Sequence, residues 1–301
     1  ISQGAGRMAG TLGLDNLIMF YDANEVQLST MTSEVSCEDT VMKYRSWNWN
    51  VLEINGNDPE QIRTAIAAAQ EEKNRPTLIV GHCVMGLGAR QADGTSYERN
   101  CKTHGAPLGG DAYRNTVTNL GGNPDDPFVI RPEVEKMYVE RLQELRGIVA
   151  ERHAEEKAWA EANPEKAEKQ AFWFSGKAPE LPWEELQQKS GGPTRAASSN
   201  VLAMLSEHCE NMIVSSADLS NSDKTDGFLK HSSNITRDNF SGGFLQSGVS
   251  ELTMACVCIG ISLHGGFFTA MGTFFVFSDY MKPAIRMAAL MQLPVKFVWS
   301  H

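Results

Sequence analysis

Glu251 is the residue of this sequence most marked for chemistry. It stands in Ser247-Gly248-Val249-Ser250-Glu251-Leu252-Thr253-Met254, at the start of the most apolar helical pattern. A helix N-terminus favours a carboxylate, so a simple cap is one account of it. A carboxylate on so apolar a helix is costly without a partner, and a partnered one suits proton sharing. Downstream, Gly272-Thr273-Phe274-Phe275-Val276-Phe277 offers flat apolar walls for an aromatic ligand. Core packing accounts for such phenylalanines as well, and suits Phe275 in particular.

Other segments carry weaker chemistry. His104 lies in Thr103-His104-Gly105-Ala106-Pro107-Leu108-Gly109-Gly110, where glycine and proline restrain the loop. A histidine held there can shuttle protons or meet a phosphate, or simply fill a loop. Tyr21-Asp22-Ala23-Asn24-Glu25-Val26 sets carboxylate, carboxamide and carbonyl oxygens together, a donor set that suits a hard cation such as magnesium. Asp and Asn are also ordinary turn residues. Gly4, Gly6 and Gly10 have no strand before them, so close helix packing is a better account than a dinucleotide loop. Cys256 and Cys258 lack further Cys or His at ligand spacing and read as buried thiols.

Alternating strand and helix signals must position these residues. Leu17 to Tyr21, Val51 to Ile54 and Thr77 to Val80 read as strands, with helices over Asp39–Trp47 and Pro59–Lys73 between them. Gly86 to Pro132 shows few periodic signals. Glu133 to Trp173 reads as a long, charged, mostly exposed helix broken near Pro164, and Ser175 to Pro193 as a linker. Alternation then resumes, with helices at Thr194–Cys209, Val249–Leu263 and Ser278–Gln292 and strands at Met212–Ser215, Phe267–Phe277 and Val295–Trp299. The pattern predicts an α/β fold: two parallel-sheet domains joined by a long helical, charged linker. Ligands of such sheets bind beyond the carboxyl ends of the strands. That draws attention to Asp22 and Asn24, to Asp218 with Ser220 and Ser222, and to His301.

Composition narrows the function classes. A chain of 301 residues suggests two domains, and 27 Lys and Arg against 37 Asp and Glu give a net charge of -10. That balance argues against nucleic acid, whose phosphates call for a basic face. From Leu252 to Phe277 the only Asp, Glu, Lys, Arg or His is His264, yet His264-Gly265-Gly266 cuts the run into two short halves. A buried helix, a turn and a buried strand are predicted there instead of a membrane span. Six scattered cysteines read as reduced core thiols of a cytoplasmic protein, and no secretory leader is read in the first residues. The chain opens at Ile1 within a helical pattern and stops at His301 after an apolar run, so a fragment of a longer sequence is expected.

Together these segments resemble the transketolase family of thiamine-diphosphate enzymes. The resemblance runs through the whole chain. Its most specific strings are THGAPLGG at 103–110, SADLSNSDKT at 216–225, GVSE at 248–251, LHGG at 263–266, GTFFVFSDY at 272–280 and RMAAL at 286–290. It implies that 1–130 is the later part of a diphosphate-binding domain, 131–193 a helical linker region, and 194–301 the earlier part of a pyrimidine-binding domain. Upstream a GDG metal motif would be missing, and downstream a third domain.

By this resemblance Asn24 and the carbonyl of Val26 are ligands of Mg2+ or Ca2+, although Gln27-Leu28-Ser29-Thr30 follows where the family has Asp-Gly. His104 contacts the diphosphate and assists proton transfer. Phe274, Phe277 and Tyr280 form the aminopyrimidine pocket, with Asp218 near the cofactor. Glu251 hydrogen-bonds a ring nitrogen of the aminopyrimidine. Arg195, Ser222 and His301, with His104, bind the sugar phosphate. The implied reaction is transfer of a two-carbon ketol unit from a ketose phosphate to an aldose phosphate in the pentose phosphate pathway, by a cytoplasmic homodimer with shared sites. The alternatives are a related enzyme such as 1-deoxyxylulose-5-phosphate synthase, or a non-catalytic dimerisation fragment. The isolated chain is expected to be inactive.

Overall fold

The computed structural model describes residues 2–301. It forms two compact units: helix α1 (Ser2–Leu12) groups with Glu156–His301, and Gly13–Glu155 forms the other.

In the Gly13–Glu155 unit, β1 (Ile18–Ala23), α2 (Thr40–Ser46), β2 (Asn50–Asn55), α3 (Pro59–Glu71) and β3 (Thr77–His82) follow one another. The sheet is parallel in the order β1-β3-β2, with Thr77 in register with Ile18 on one side and Asn50 on the other. β3 is central, and its apolar run Leu78-Ile79-Val80 is buried, as a strand covered on both faces requires. The helices start where the side chains dictate. Asp39 accepts from the Met42 N–H at 2.8 Å, and Asp58 caps α3 ahead of Pro59 at its first position. Ala65 and Ala69 let α3 settle onto Ile79, with Ile18, Leu52 and Ile54 alongside.

Between Gly86 and Pro132, where periodicity is faint, the chain forms α4 (Gly110–Asn119). Its polar sequence GDAYRNTVTN buries no side chain, so there is no apolar stripe to read. The charged segment is α5 (Pro132–Ala162) followed by α6 (Pro164–Phe174), with the break at Pro164. No residue of α5 is buried, and Lys136–Glu140 and Arg141–Glu144 pair along its surface.

The second unit contains α7 (Thr194–His208), β4 (Met212–Ser216), the short α8 (Ser220–Asp223), β5 (Phe244–Gln246), α9 (Glu251–His264), β6 (Phe268–Phe274), α10 (Ser278–Leu290) and β7 (Lys296–Ser300). All four strands are parallel, ordered β5-β4-β6-β7. Successive residues of a strand face opposite sides, and β6 displays this. Ala270 joins Leu202, Val214, Phe228 and Phe244, whereas Met271 joins Met254, Cys258, Met281 and Ala284 from α9 and α10. Each fully buried Met or Phe there contributes about 1.5–3 kcal/mol.

The run from Leu252 to Phe277 is thus a helix, a Gly265-Gly266 turn and a strand, and no described helix is long and apolar enough to cross a membrane. Gly4 is where α1 meets α9, since a Cβ there would lie 2.0 Å from Thr253 Oγ1. Two expectations are corrected. Phe275 is 60% exposed and leans on Trp299, because β6 ends at Phe274 and a 3-10 turn carries the next residues outward. Of the cysteines only Cys209 and Cys258 are buried, while Cys37 is exposed. β5 and α8, three and four residues long, were too short to leave a pattern.

Candidate functional site

Glu251 is the first residue of α9, and the segment before it is held firmly. Gly248 takes φ +67, which turns the chain from β5 into the helix. Arg7 of α1 donates to the Ser247 carbonyl at 3.1 Å, and Ser250 Oγ donates to the same oxygen at 2.9 Å. Ser215 Oγ of β4 donates to the Leu245 carbonyl and pairs with Ser247 Oγ, both at 2.7 Å. These bonds fix where α9 begins. The Glu251 carboxylate is 7% exposed and accepts from Thr273 Oγ1 of β6 at 3.4 Å. The positive end of the α9 dipole supports its charge.

A cavity of about 320 Å³ opens over this carboxylate, walled by Ala217, Leu219, Val249, Phe277 and Tyr280. Phe277 stacks between Phe274 (5.9 Å, 15°) and Tyr280 (6.1 Å, 26°). An apolar, aromatic slot with a buried carboxylate in its lining fits a flat heteroaromatic ring that offers a donor to that oxygen. Phe274 is not part of this wall. It stacks on Phe277 from behind and sets its ring edge-to-face against His301 at 4.5 Å.

Arg195, near the start of α7, and His301, just past β7, line a second cavity of about 470 Å³ with Thr194, Ser198, Ser300 and the buried Asp223 of α8. Arg195 Nη1 touches the His301 ring nitrogen Nε2 and donates to the Ser222 carbonyl at 3.3 Å. Ser300 Oγ meets His301 Nδ1 at 3.1 Å. A guanidinium, an imidazole and hydroxyl groups around one hollow suit an anion with several oxygens, since the Asp223 carboxylate in the same lining is already taken up by Ser216 and Thr225. Asp218 is exposed at φ +63 in the same β4–α8 connection and lines neither cavity.

In the other unit, Asn24 and Val26 share a tight turn just past β1. Asn24 Oδ1 accepts the Val26 N–H at 3.0 Å, and the buried Val26 bridges to Met31. Gln27-Leu28-Ser29-Thr30 closes that loop, with the Gln27 N–H on the Thr30 carbonyl at 2.8 Å. The intervening Glu25 sits at φ +65 and pairs with Arg99 at 3.3 Å. Asp22, expected beyond the strand, lies within β1. Burial pushes the Cys83 thiol up, and its hydrogen bond to the Asp22 carboxylate adds to the shift. His104 is exposed in its loop, its N–H on the Cys101 carbonyl at 3.0 Å, with Gly105 following at φ +75.

So Glu251, Phe277 and Tyr280 meet around one cavity, Arg195 and His301 around another, and Asn24 and Val26 in one turn. Sequence reasoning missed Thr273 and Asp223. Thr273 occupies a β6 position beside Phe274 and offers no signal beyond its type. Asp223 lies in the quoted 216–225 string, but a buried carboxylate there has no pattern of its own.

Residues 1–179 match the family model described as transketolase, thiamine diphosphate binding domain. Residues 191–301 match the one described as transketolase, pyrimidine binding domain. Among curated proteins, a transketolase of Bacillus subtilis is 34% identical over 307 residues, covering 100% of this chain and 45% of that protein. A dihydroxyacetone synthase of Pichia angusta is 33% identical, covering 98% of this chain and 43% of its own length. The chain thus spans less than half the length of these relatives. Among solved structures, a Pichia stipitis transketolase complexed with sedoheptulose 7-phosphate superposes with a TM-score of 0.89 at 28% identity, covering 100% of this chain and 45% of that one. A mutant of that enzyme with fructose 6-phosphate gives 0.88 at 29%, with the same coverage.

Proposed function

The chain belongs to the transketolase family, and on that premise we propose that it carries much of the site for two-carbon transfer between sugar phosphates. The observation that carries this reading is the Glu251 carboxylate, 7% exposed, in the lining of an aromatic-walled cavity. Thiamine diphosphate held there would supply a nucleophilic carbon for ketol transfer between a ketose phosphate and an aldose phosphate.

The residues of the chain bind, orient and move protons. Glu251 shares a proton with a ring nitrogen of the aminopyrimidine, and the Thr273 hydroxyl orients its carboxylate. Phe277 and Tyr280 hold the ring flat, Phe274 backs them, and Asp218 lies near the cofactor. Asn24 Oδ1 and the Val26 carbonyl are hard oxygen donors for Mg2+ or Ca2+ at the diphosphate. His104 meets the diphosphate and transfers a proton near the substrate. Arg195, His301 and Ser222 take the phosphate of substrates such as fructose 6-phosphate or sedoheptulose 7-phosphate. We assign 1–130 to diphosphate binding, 131–193 to the connector and 194–301 to pyrimidine binding, in a cytoplasmic homodimer.

The test uses the full-length protein with thiamine diphosphate and Mg2+, given fructose 6-phosphate and an aldose phosphate. Ketol transfer is expected, and Glu251→Gln lowers turnover by about 100-fold or more, the size of a proton-transfer contribution. Pyruvate decarboxylation without ketol transfer would overturn the proposal, as would a variant within a few-fold of the parent.

A further inference from the structure

Asp223 is the least exposed carboxylate described, at 1% exposure, and it lines the cavity of Arg195 and His301 with both its oxygens turned to partners of its own loop. It ends α8, and its two oxygens are taken up from both ends of the loop that contains it. Oδ2 accepts from Ser216 Oγ, the last residue of β4, at 2.8 Å. Oδ1 accepts from the Thr225 N–H at 2.8 Å and from Thr225 Oγ1 at 2.7 Å. Ser216 Oγ in turn accepts the Leu219 N–H at 3.2 Å. The segment 216–225 is therefore a closed ring with a carboxylate at its centre.

The ring holds a conformation the chain resists. Asp218 and Lys224 take φ +63 and +69, left-handed values that aspartate tolerates but that cost a long side chain such as that of Lys224. The same segment presents the Ser222 carbonyl to Arg195 Nη1, and Arg195 contacts His301 across the cavity they share. Gly272 of β6 leaves the room this needs, because a Cβ there would come within 2.9 Å of Asp223 Oδ2.

We propose that Asp223 is a positioning residue: by tying Ser216 to Thr225 it sets Ser222 and, through the Ser222 carbonyl, the Arg195 guanidinium that receives the substrate's phosphate. The inference rests on the transketolase reading and on the anion-binding character of that cavity. It separates two effects that a merely structural carboxylate would not. Loss of folded protein lowers the apparent turnover and leaves KM alone, whereas a displaced Arg195 raises KM for the phosphate-bearing substrate and leaves the saturated rate alone.

The experiment uses the full-length enzyme and compares parent, Asp223→Ala, Asp223→Asn and Ser216→Ala. Readouts are KM and kcat for fructose 6-phosphate and the Kd for thiamine diphosphate by calorimetry. Asp223→Ala is expected to raise KM tenfold or more, with kcat and the thiamine diphosphate Kd within twofold of the parent. Asp223→Asn, which keeps an acceptor for Thr225, is expected to return KM to within threefold. Ser216→Ala, the milder cut in the same ring, gives a smaller rise in the same constant and serves if the first variant fails to fold. KM unchanged in Asp223→Ala, or in Ser216→Ala if that variant has to serve, overturns the inference, as does an equal loss of thiamine diphosphate affinity. A parent without ketol transfer would instead overturn the functional reading and is scored before any variant.

Discussion

Gly272→Ala tests the packing around the β4–α8 ring by a change that general propensity favours. Gly272 lies in the middle of β6, without a positive φ, so alanine fits its backbone. Replacing a strand glycine by alanine stabilises by about 0.5–1 kcal/mol when nothing stands in the way. Here something does: the new Cβ would lie 2.4 Å from Thr225 Cγ2 and 2.9 Å from Asp223 Oδ2, against ordinary contacts of 3.4–4 Å. One group must retreat by about 1 Å, and overpacking of this kind costs about 1–3 kcal/mol. The net expectation is a loss of about 1–2 kcal/mol. In a unit of this size that lowers Tm by about 2–8 °C. The assay is thermal unfolding by circular dichroism of parent, Gly272→Ala, Thr225→Ser and the double variant. Thr225→Ser removes the methyl that stands closest, so the double variant should recover about half the loss, as non-additivity between touching sites predicts. A higher Tm for Gly272→Ala, or strictly additive effects, would refute the reasoning.

Three further outcomes follow from single side chains. Thr269 Oγ1 is buried in β6 with no hydrogen-bond partner among the described residues, so Thr269→Val should raise stability by about 1 kcal/mol in urea unfolding. A loss of similar size would contradict that account. Thr273→Val deprives Glu251 of its donor while keeping the shape, and should weaken thiamine diphosphate binding about three- to tenfold by calorimetry. An unchanged Kd would remove Thr273 from the site. Burial pushes the Cys258 thiol up from 9.0 to about 12. Its stabilising effect is therefore whole below about pH 9, the unfolded value, and fades as the pH climbs towards 12. At pH 8 only about one part in ten thousand is thiolate, so iodoacetamide should modify the exposed Cys37 and spare Cys258, read by peptide mass spectrometry.

Physical causes decide what the sequence disclosed. Leu78-Ile79-Val80 is legible because a central parallel strand must be apolar on both faces, and Asp58-Pro59 because a cap and a fixed φ mark a helix start. Glu251 is legible because a charge amid apolar neighbours demands a partner. The partner itself, Thr273, is not: it lies 22 residues away and only the packing of α9 on β6 brings it near. Asp223 was hidden for the same reason, since Ser216, Leu219 and Thr225 are ordinary loop residues until the ring closes around it. Phe275 misled because it stands one residue beyond the end of β6, a boundary no apolar run can define.

Helix α1 has a consequence for how the molecule forms. It docks on α9 through Gly4 and bonds Ser247 through Arg7, across 240 positions of chain. Closing a loop of that length costs roughly 5 kcal/mol of chain entropy before any contact rewards it. During synthesis α1 must therefore wait for these partners until the ribosome has made β4, β5 and α9. Non-local pairing of this kind slows folding. The segment that anchors the approach to Glu251 is made well before the elements it packs against and docks only after them.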